Sequence, residues 1–458
     1  MFERIKNFEY LKQVGIGLGS GVVALALLIA GLSISAGPAI PSGNNSSQAE
    51  NSTQPSSSAT PTDSRTCSVA QAAADTTLGS MQAVVVNQAT NEVLFDRNSA
   101  VAGATASTMK LLTATAALAA LGPNYRVSTR VYQDSADPGT IYVLGGGDPT
   151  LSRTSPGKQS VYPDAPKLST LAIAVNAAVK TTPITKIILD SSVFQGASWE
   201  PSWERTEQTI GYMSEVTALQ VDGDRNNPQL ETSPRSTTPV IRAGNWFRQA
   251  LGASATGATI SLGKLPTSAN QIAAVQSQPI SKWILHMLQV SDNTEAEALA
   301  RLVSLDEGFD GSFGSIDAAI KKALTDAGLN TTGLTIKDGS GLSANNAVPP
   351  AFFMPLMQKI FAGSDYFSVI KQALPVAGES GSLADRFKGK NLDASGHVFA
   401  KTGWIKHGYS LVGYTNAKDG TVLLFAVYAL GNVTDTAKLA IDNLVAGFYR
   451  CGANLSNQ

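Results

Sequence analysis

Residues 105–121 read Thr-Ala-Ser-Thr-Met-Lys-Leu-Leu-Thr-Ala-Thr-Ala-Ala-Leu-Ala-Ala-Leu, and Gly122-Pro123 follows. Ala and Leu are good helix formers, and Gly-Pro is a natural stop. Ser107 and Lys110 stand near the start, three residues apart. That spacing puts hydroxyl and amine on one helical face. A hydroxyl needs a base to become a nucleophile, and a neutral, desolvated Lys can serve. The helix N-terminus also favours negative charge near Ser107. Alone the pattern is weak, because an N-cap or a buried hydroxyl fits it as well. It also recurs at Ser155–Lys158 and Ser368–Lys371. The first recurrence contains Pro-Gly, which argues for a turn. The second lies on an ordinary amphipathic segment.

Working outward, MQAVVVN (81–87) and NEVLFD (91–96) read as two strands around a short turn. Near the other end, HVFAKTGWI (397–405), SLVGYTNA (410–417) and TVLLFAVYAL (421–430) read as three more. A Lys418-Asp419-Gly420 turn joins the last two. A helix over about 434–449 follows. Both ends of the chain thus supply strands of one antiparallel sheet covered by helices, an α/β (α+β) fold. Residues 128–280 differ in character. They mix short strand signals, Pro-rich breaks and the helical stretch LSTLAIAVNAAVK. The reading is an inserted smaller domain at 128–280, with 67–127 and 281–451 forming the catalytic domain.

The chain has 458 residues, 43% hydrophobic and 15% charged, which is enough for two to three domains. Its net charge of −1 gives no case for nucleic acid, which demands a basic face. His286, His397 and His407 show no metal-type spacing, so neither a metal nor another cofactor is expected. Residues 14–36 are free of charge and long enough to span a bilayer. Arg4, Lys6 and Lys12 precede them, and no Lys or Arg follows until Arg65. That asymmetry makes 1–13 a cytoplasmic tail, 14–36 a membrane anchor and the remainder external. A long cleaved signal peptide is the competing reading, and it too exports the remainder. Residues 37–66 are rich in Ser, Thr, Pro, Asn and Gly and read as a flexible linker. Cys67 and Cys451 bracket nearly all that follows. In an oxidising compartment they fit a disulfide better than two buried thiols.

Two further motifs complete a set. Ser291-Asp292-Asn293 follows the helical run SKWILHML and precedes TEAEALAR. By itself it fits a helix break with a new N-cap, and Glu297 and Arg301 beyond it fit a surface i,i+4 ion pair. Lys401-Thr402-Gly403 lies in a strand, where Lys often guards an edge and Gly permits close approach. Ser-x-x-Lys, Ser-Asp-Asn and Lys-Thr-Gly in that order are the signature set of penicillin-binding proteins and serine β-lactamases. The stretches Gly145–Leu151 (GGGDPTL), Asp338–Ser343 (DGSGLS) and Leu374–Gly378 (LPVAG), followed by Gly381-Ser-Leu383, resemble the DacB-type D-Ala-D-Ala carboxypeptidase/endopeptidase family. The resemblance runs over about 67–451.

The resemblance implies a transpeptidase-like five-stranded antiparallel sheet flanked by helices. It implies peptidoglycan stem peptides as substrate and β-lactams as inhibitors. Ser107 would attack the carbonyl between two D-alanines, and Lys110 would take its proton. Ser291 and Lys401 would pass a proton to the leaving amine and hold the terminal carboxylate. Asn293 would bind the substrate amide. The N–H groups of Ser107 and Trp404 would form the oxyanion hole, beside Thr402 and Gly403. The family usually has Thr where Trp404 stands, so one hydroxyl is missing here. The stretch between Ser107 and Ser291 is also shorter than in members with two inserted domains, so one insert is expected. The alternatives are a wall-binding scaffold with little turnover, supported by Trp404 alone, and a β-lactamase, whose chains lack a large insert. A Ser/His/Asp esterase would need a Gly-x-Ser-x-Gly elbow, which is absent from the sequence.

Overall fold

The computed structural model describes residues 65–458. The expected tail at 1–13, the membrane segment at 14–36 and the linker up to residue 64 lie outside the described residues. Among the described residues no helix is long and apolar enough to cross a membrane.

The first sheet joins the two ends of the described chain. Its strands are β1 (Ser80–Asn87), β2 (Val93–Arg97), β8 (Val398–Ile405), β9 (Gly408–Asn416) and β10 (Val422–Leu430). They run in the order β2-β1-β10-β9-β8, and every pairing is antiparallel. β1 and β10 pair from Ser80 opposite Leu430 to Asn87 opposite Leu423. Side chains alternate between faces. Val84, Val86, Leu424, Ala426 and Tyr428 enter one core, while Ala83, Val85, Leu423, Phe425 and Val427 enter the other. A strand buried on both faces must be apolar throughout, which is why β10 reads VLLFAVYAL.

Helices α1 (Ala70–Ala73) and α11 (Thr436–Cys451) contribute to the second core. The first core is built around α2 (Met109–Leu121). With it pack α6 (Ile280–Val290), α7 (Asn293–Asp306), α8 (Phe313–Asp326), α9 (Phe353–Ala362) and α10 (Phe367–Ala373). Every residue of α2 from Met109 to Leu118 is buried, Lys110 included. A helix enclosed on all sides has no polar face. Its Ala and Thr side chains let neighbours come close. Gly122 ends it in a positive-φ conformation that suits Gly.

A second sheet takes all its strands from between Ser128 and Gln276. They are β3 (Ser128–Gln133), β4 (Thr140–Leu144), β5 (Lys186–Asp190), β6 (Thr259–Leu262) and β7 (Asn270–Gln276), in the order β6-β5-β4-β3-β7. β4, β5 and β6 are parallel, so crossovers must join them. Helix α3 (Leu168–Val179) lies between β4 and β5, and the short α4 (Thr206–Ile210) and α5 (Pro239–Leu251) between β5 and β6. Val131, Val143, Leu171, Val175, Leu189 and Phe247 form a separate core there. The middle segment is not confined to that core. Phe194, Trp199, Trp203, Met213 and Val216 pack into the core around α2.

Cys67 and Cys451 are joined as a disulfide with Cα atoms 5.4 Å apart. The bond ties the chain before α1 to the last turn of α11, across 384 residues of sequence. A cross-link over so long a loop restricts the unfolded chain strongly. Replacing both cysteines by Ser is expected to lower unfolding stability by about 2–4 kcal/mol, read as a reduced denaturant midpoint. An intact mass that does not rise on reduction would show that the bond does not form.

Candidate active site

Ser107 does not open the α-helix directly. It sits in a 3₁₀ turn, Ala106–Thr108, that leads into α2. Ala106 before it has φ +46°, an unusual conformation for a residue with a Cβ. Gly341 packs directly against it, since a Cβ there would lie 1.8 Å from the Ala106 carbonyl oxygen. The Asp338–Ser343 stretch is therefore the floor beneath Ser107.

Lys110 Nζ lies 2.8 Å from Ser107 Oγ, 2.7 Å from Asn293 Oδ1 and 2.8 Å from the Ser340 carbonyl oxygen. The ammonium has three donors and three acceptors around it. The neutral amine would keep two of these bonds and turn its lone pair to the Ser107 hydroxyl. Burial pushes the Lys110 amine down to about 8, although Asp338, Glu297 and Asp292 resist the shift. Lys401, also fully buried, bonds to Ser291 Oγ at 2.9 Å and to the Thr402 carbonyl at 2.7 Å. Burial, then the like charge of Lys110, holds its amine well below the usual lysine range.

Ser291, Asp292 and Asn293 connect α6 to α7. Ser291 is left-handed, φ +65°, so the chain reverses sharply between the helices. Asp292 caps α7 by accepting from the Glu295 N–H at 2.8 Å. Burial would raise its carboxyl, but Arg225 and His286 outweigh burial and hold it well below the usual range. Its neighbours on either side face the two lysines. Asn293 also donates to the Tyr212 carbonyl at 3.1 Å.

β8 is an edge strand, and Lys-Thr-Gly lies along it. A Cβ on Gly403 would sit 2.1 Å from Ser410 Oγ and 3.0 Å from the Ser107 backbone nitrogen. Gly is thus required where the strand passes the nucleophile. Thr402 Oγ1 and Ser382 Oγ are hydrogen-bonded at 2.7 Å. Trp404 is 46% exposed and meets Tyr212 edge-on, with ring centroids 6.3 Å apart. Together Ser107, Ser291, Asn293, Thr402, Gly403 and Trp404 line a cleft of about 340 Å³. Lys110 and Lys401 lie beneath its wall.

All eight expected site residues therefore converge, and the other Ser-x-x-Lys pairs do not take part. Ser155 and Lys158 lie in an exposed turn, while Lys371 donates to the Phe361 carbonyl. The surface ion pair expected of Glu297 and Arg301 is corrected. Both side chains are buried and they do not pair. Glu297 accepts from the Gly339 and Ser340 N–H groups at 3.1 and 2.7 Å. Arg301 donates to the carbonyls of Gln195, Ala197 and Gly311. Burial first, then the charge of Asp338, pushes the Glu297 carboxyl up to about 8. Sequence reasoning also missed Ser340, which acts through its carbonyl, and Arg225, which comes from far along the chain. His286, Asp292 and Glu295 bring three donor atoms together, a grouping the spacing of the histidines did not reveal. The Arg225 guanidinium already supplies a cation there, bonded to Asp292 at 2.5 Å.

The chain is 33% identical to the carboxypeptidase Rv3627c of Mycobacterium tuberculosis over 84% of each chain. It is 31% identical to the carboxypeptidase DacB of Mycolicibacterium smegmatis, again over 84% of each. Its fold is similar to the crystal structure of penicillin binding protein 4 (dacB) from Haemophilus influenzae. That match has a TM-score of 0.68 at 20% identity and covers 81% of this chain and 95% of the other. Residues 66–237 and 225–450 match a family described as D-Ala-D-Ala carboxypeptidase 3 (S13). A family match over most of the chain, with relatives 31% and 33% identical along 84% of it, means that the chain belongs to the D-Ala-D-Ala carboxypeptidase 3 (S13) family.

Proposed function

We propose that Ser107 is the acylated nucleophile of this serine-type D-Ala-D-Ala carboxypeptidase/endopeptidase, with neutral Lys110 as its base. The observation that carries the reading is the three-acceptor cage around the Lys110 amine. When the amine is neutral, Asn293 and Ser340 take its two N–H bonds. The lone pair is left for the Ser107 proton. A peptidoglycan stem peptide laid along β8 beside Lys401–Trp404, beyond the bridge between Phe399 and Val376, would pair with it as an added strand. Ser107 Oγ then attacks the carbonyl between the two D-alanines, and its proton passes to Lys110. The oxyanion accepts from the N–H groups of Ser107 and Trp404, each donor contributing ~3–4 kcal/mol to the barrier. Replacing Thr by Trp removes a side-chain hydroxyl but keeps that backbone donor. The hydroxyls of Thr402 and Ser382 remain in the cleft wall.

As the tetrahedral intermediate collapses, Ser291 gives a proton to the departing D-Ala amine and is resupplied through Lys401. The low proton affinity of Lys401 suits that relay, and an arriving substrate carboxylate would recharge it. Water then hydrolyses the ester: Lys110 returns its proton to Ser107 Oγ, and the proton released by the water goes back to Lys401 through Ser291. A β-lactam enters by the same attack, but its ring-opened product stays tethered.

Residues 14–36 are proposed as the anchor that holds the enzyme at the outer face of the membrane. The support is the uncharged stretch, with basic residues before it and none after it until Arg65. Residues 128–280 are proposed as the insert, supported by a five-strand sheet drawn from that segment alone.

Labelled penicillin is expected to add one mass adduct per chain, absent from Ser107→Ala. An adduct that survives in Ser107→Ala would remove Ser107 from its role. The acylation rate should follow the neutral fraction of Lys110. With its amine at about 8, the rate rises roughly tenfold between pH 6 and 7 and levels off above about 8. A rate independent of pH over that range would exclude Lys110 as the titrating base. Expressed whole, the chain is expected to sediment with membranes, and without residues 1–36 to remain in the supernatant. Equal fractionation of the two forms would contradict the anchor.

A further inference from the structure

The turn that carries Ser291 and Asn293 is buttressed from the middle of the chain. Arg225 lies about seventy positions earlier and is almost wholly enclosed, with 2% of its side chain exposed. One amino group bonds to Asp292 Oδ2 at 2.5 Å. The other bonds to the Tyr162 hydroxyl at 2.6 Å, and Nε to the Glu231 carbonyl at 3.2 Å. Asp292 is equally enclosed. Its remaining oxygen caps α7, so both oxygens are committed. The guanidinium also lies over the Tyr162 ring, 4.8 Å from its centroid.

The way Arg225 is presented is unusual. Asp222, Gly223 and Asp224 have φ values of +52°, +55° and +59°. Three successive left-handed residues, two with a Cβ, are strained and persist only where neighbours enforce them. Here the neighbours are ion pairs. Arg153 holds Asp222 at 2.9 Å, and Arg242 holds Asp224 at 2.9 Å. A Cβ on Gly223 would lie 2.5 Å from the Tyr162 hydroxyl and 2.7 Å from Arg225 Nη1. The strained turn is thus fitted to one guanidinium, and that guanidinium to the residue between Ser291 and Asn293.

We infer that Arg225 is a positioning residue, through which the middle segment sets the Ser291–Asn293 turn against Lys401 and Lys110. It rests on the roles proposed above for Ser291 and Asn293. Arg225 touches neither nucleophile nor cleft; it acts by fixing Asp292. If the turn shifts, Asn293 leaves one of the three acceptor positions around Lys110, and Ser291 leaves Lys401. Small misplacements of such groups are costly in rate. The middle segment then helps to position the catalytic residues through Arg225 and Asp292.

The test uses Arg225→Met, Arg225→Lys and Gly223→Ala in the full chain, with Ser107→Ala alongside. Penicillin acylation is measured well below each unfolding midpoint, and the maximal rate is separated from the half-saturating concentration. In Arg225→Met the maximal acylation rate is expected to fall about tenfold or more, with a smaller change in half-saturation. Arg225→Lys should recover part of the loss, and Gly223→Ala should lose rate in the same sense. A purely structural role would lower the unfolding midpoint and leave the maximal rate of the folded protein unchanged. A folded Arg225→Met acylated within about twofold of the natural chain would overturn the inference. If Arg225→Met does not fold, the decision passes to Gly223→Ala and Arg225→Lys. Rates within about twofold in both would overturn it, and a tenfold loss in Gly223→Ala would sustain it. Labelling that survives Ser107→Ala would instead sink the underlying reading of the site.

Discussion

A lysine amine with no solvent must be satisfied by its neighbours or give up its proton, and Lys110 is placed between those outcomes. Burial disfavours the charge, while three oxygens at 2.7–2.8 Å and the more distant carboxylates of Asp338 and Glu297 favour it. Each oxygen comes from a different part of the chain. Ser107 leads into α2, Asn293 begins α7, and Ser340 belongs to the turn held by Glu297 and Asp338. The site exists only when these segments are packed together.

The packing explains several features that have no chemistry of their own. Gly341 lets the Ser340 turn reach the Ala106 carbonyl, and Gly403 lets β8 pass the Ser107 amide. Asp338 accepts from the N–H groups of Gly341 and Ser343, from Trp203 Nε1 and from Asn346 Nδ2, which freezes the turn. Trp203 comes from the middle segment, as Arg225 does. A rigid cage around the amine is thus assembled from both parts of the chain. Rigidity matters because preorganised groups spend nothing on rearrangement when charge develops.

The strands of the first sheet were legible because β1 and β10 are apolar runs bounded by turn residues. That both ends of the chain share one antiparallel sheet was read from those runs and their local hairpins, but the pairing of β1 with β10 is a long-range choice that no local pattern encodes. Ser107, Lys110, Ser291, Asn293 and Lys401 were legible through three motifs in order, since each motif alone has an ordinary structural reading. The parallel strands of the middle segment were not legible. β6, for example, is four largely exposed residues with no clear period. Glu297 and Arg301 misled because i,i+4 spacing shows which side chains share a helix face, not whether that face is buried. Arg225 left no local signal, since its meaning depends on Asp292, far along the chain.

The proton affinity of Lys110 is where fold and chemistry meet, and it can be measured directly. Nitrogen-15 NMR of the lysine amines, with Lys110 assigned by its loss in Lys110→Arg, would follow its titration in the resting enzyme. The account predicts a midpoint of about 8. A midpoint near the ordinary lysine value of about 10.4 would contradict it, because the neutral fraction at pH 7 would then drop from about one in ten to fewer than about one in a thousand.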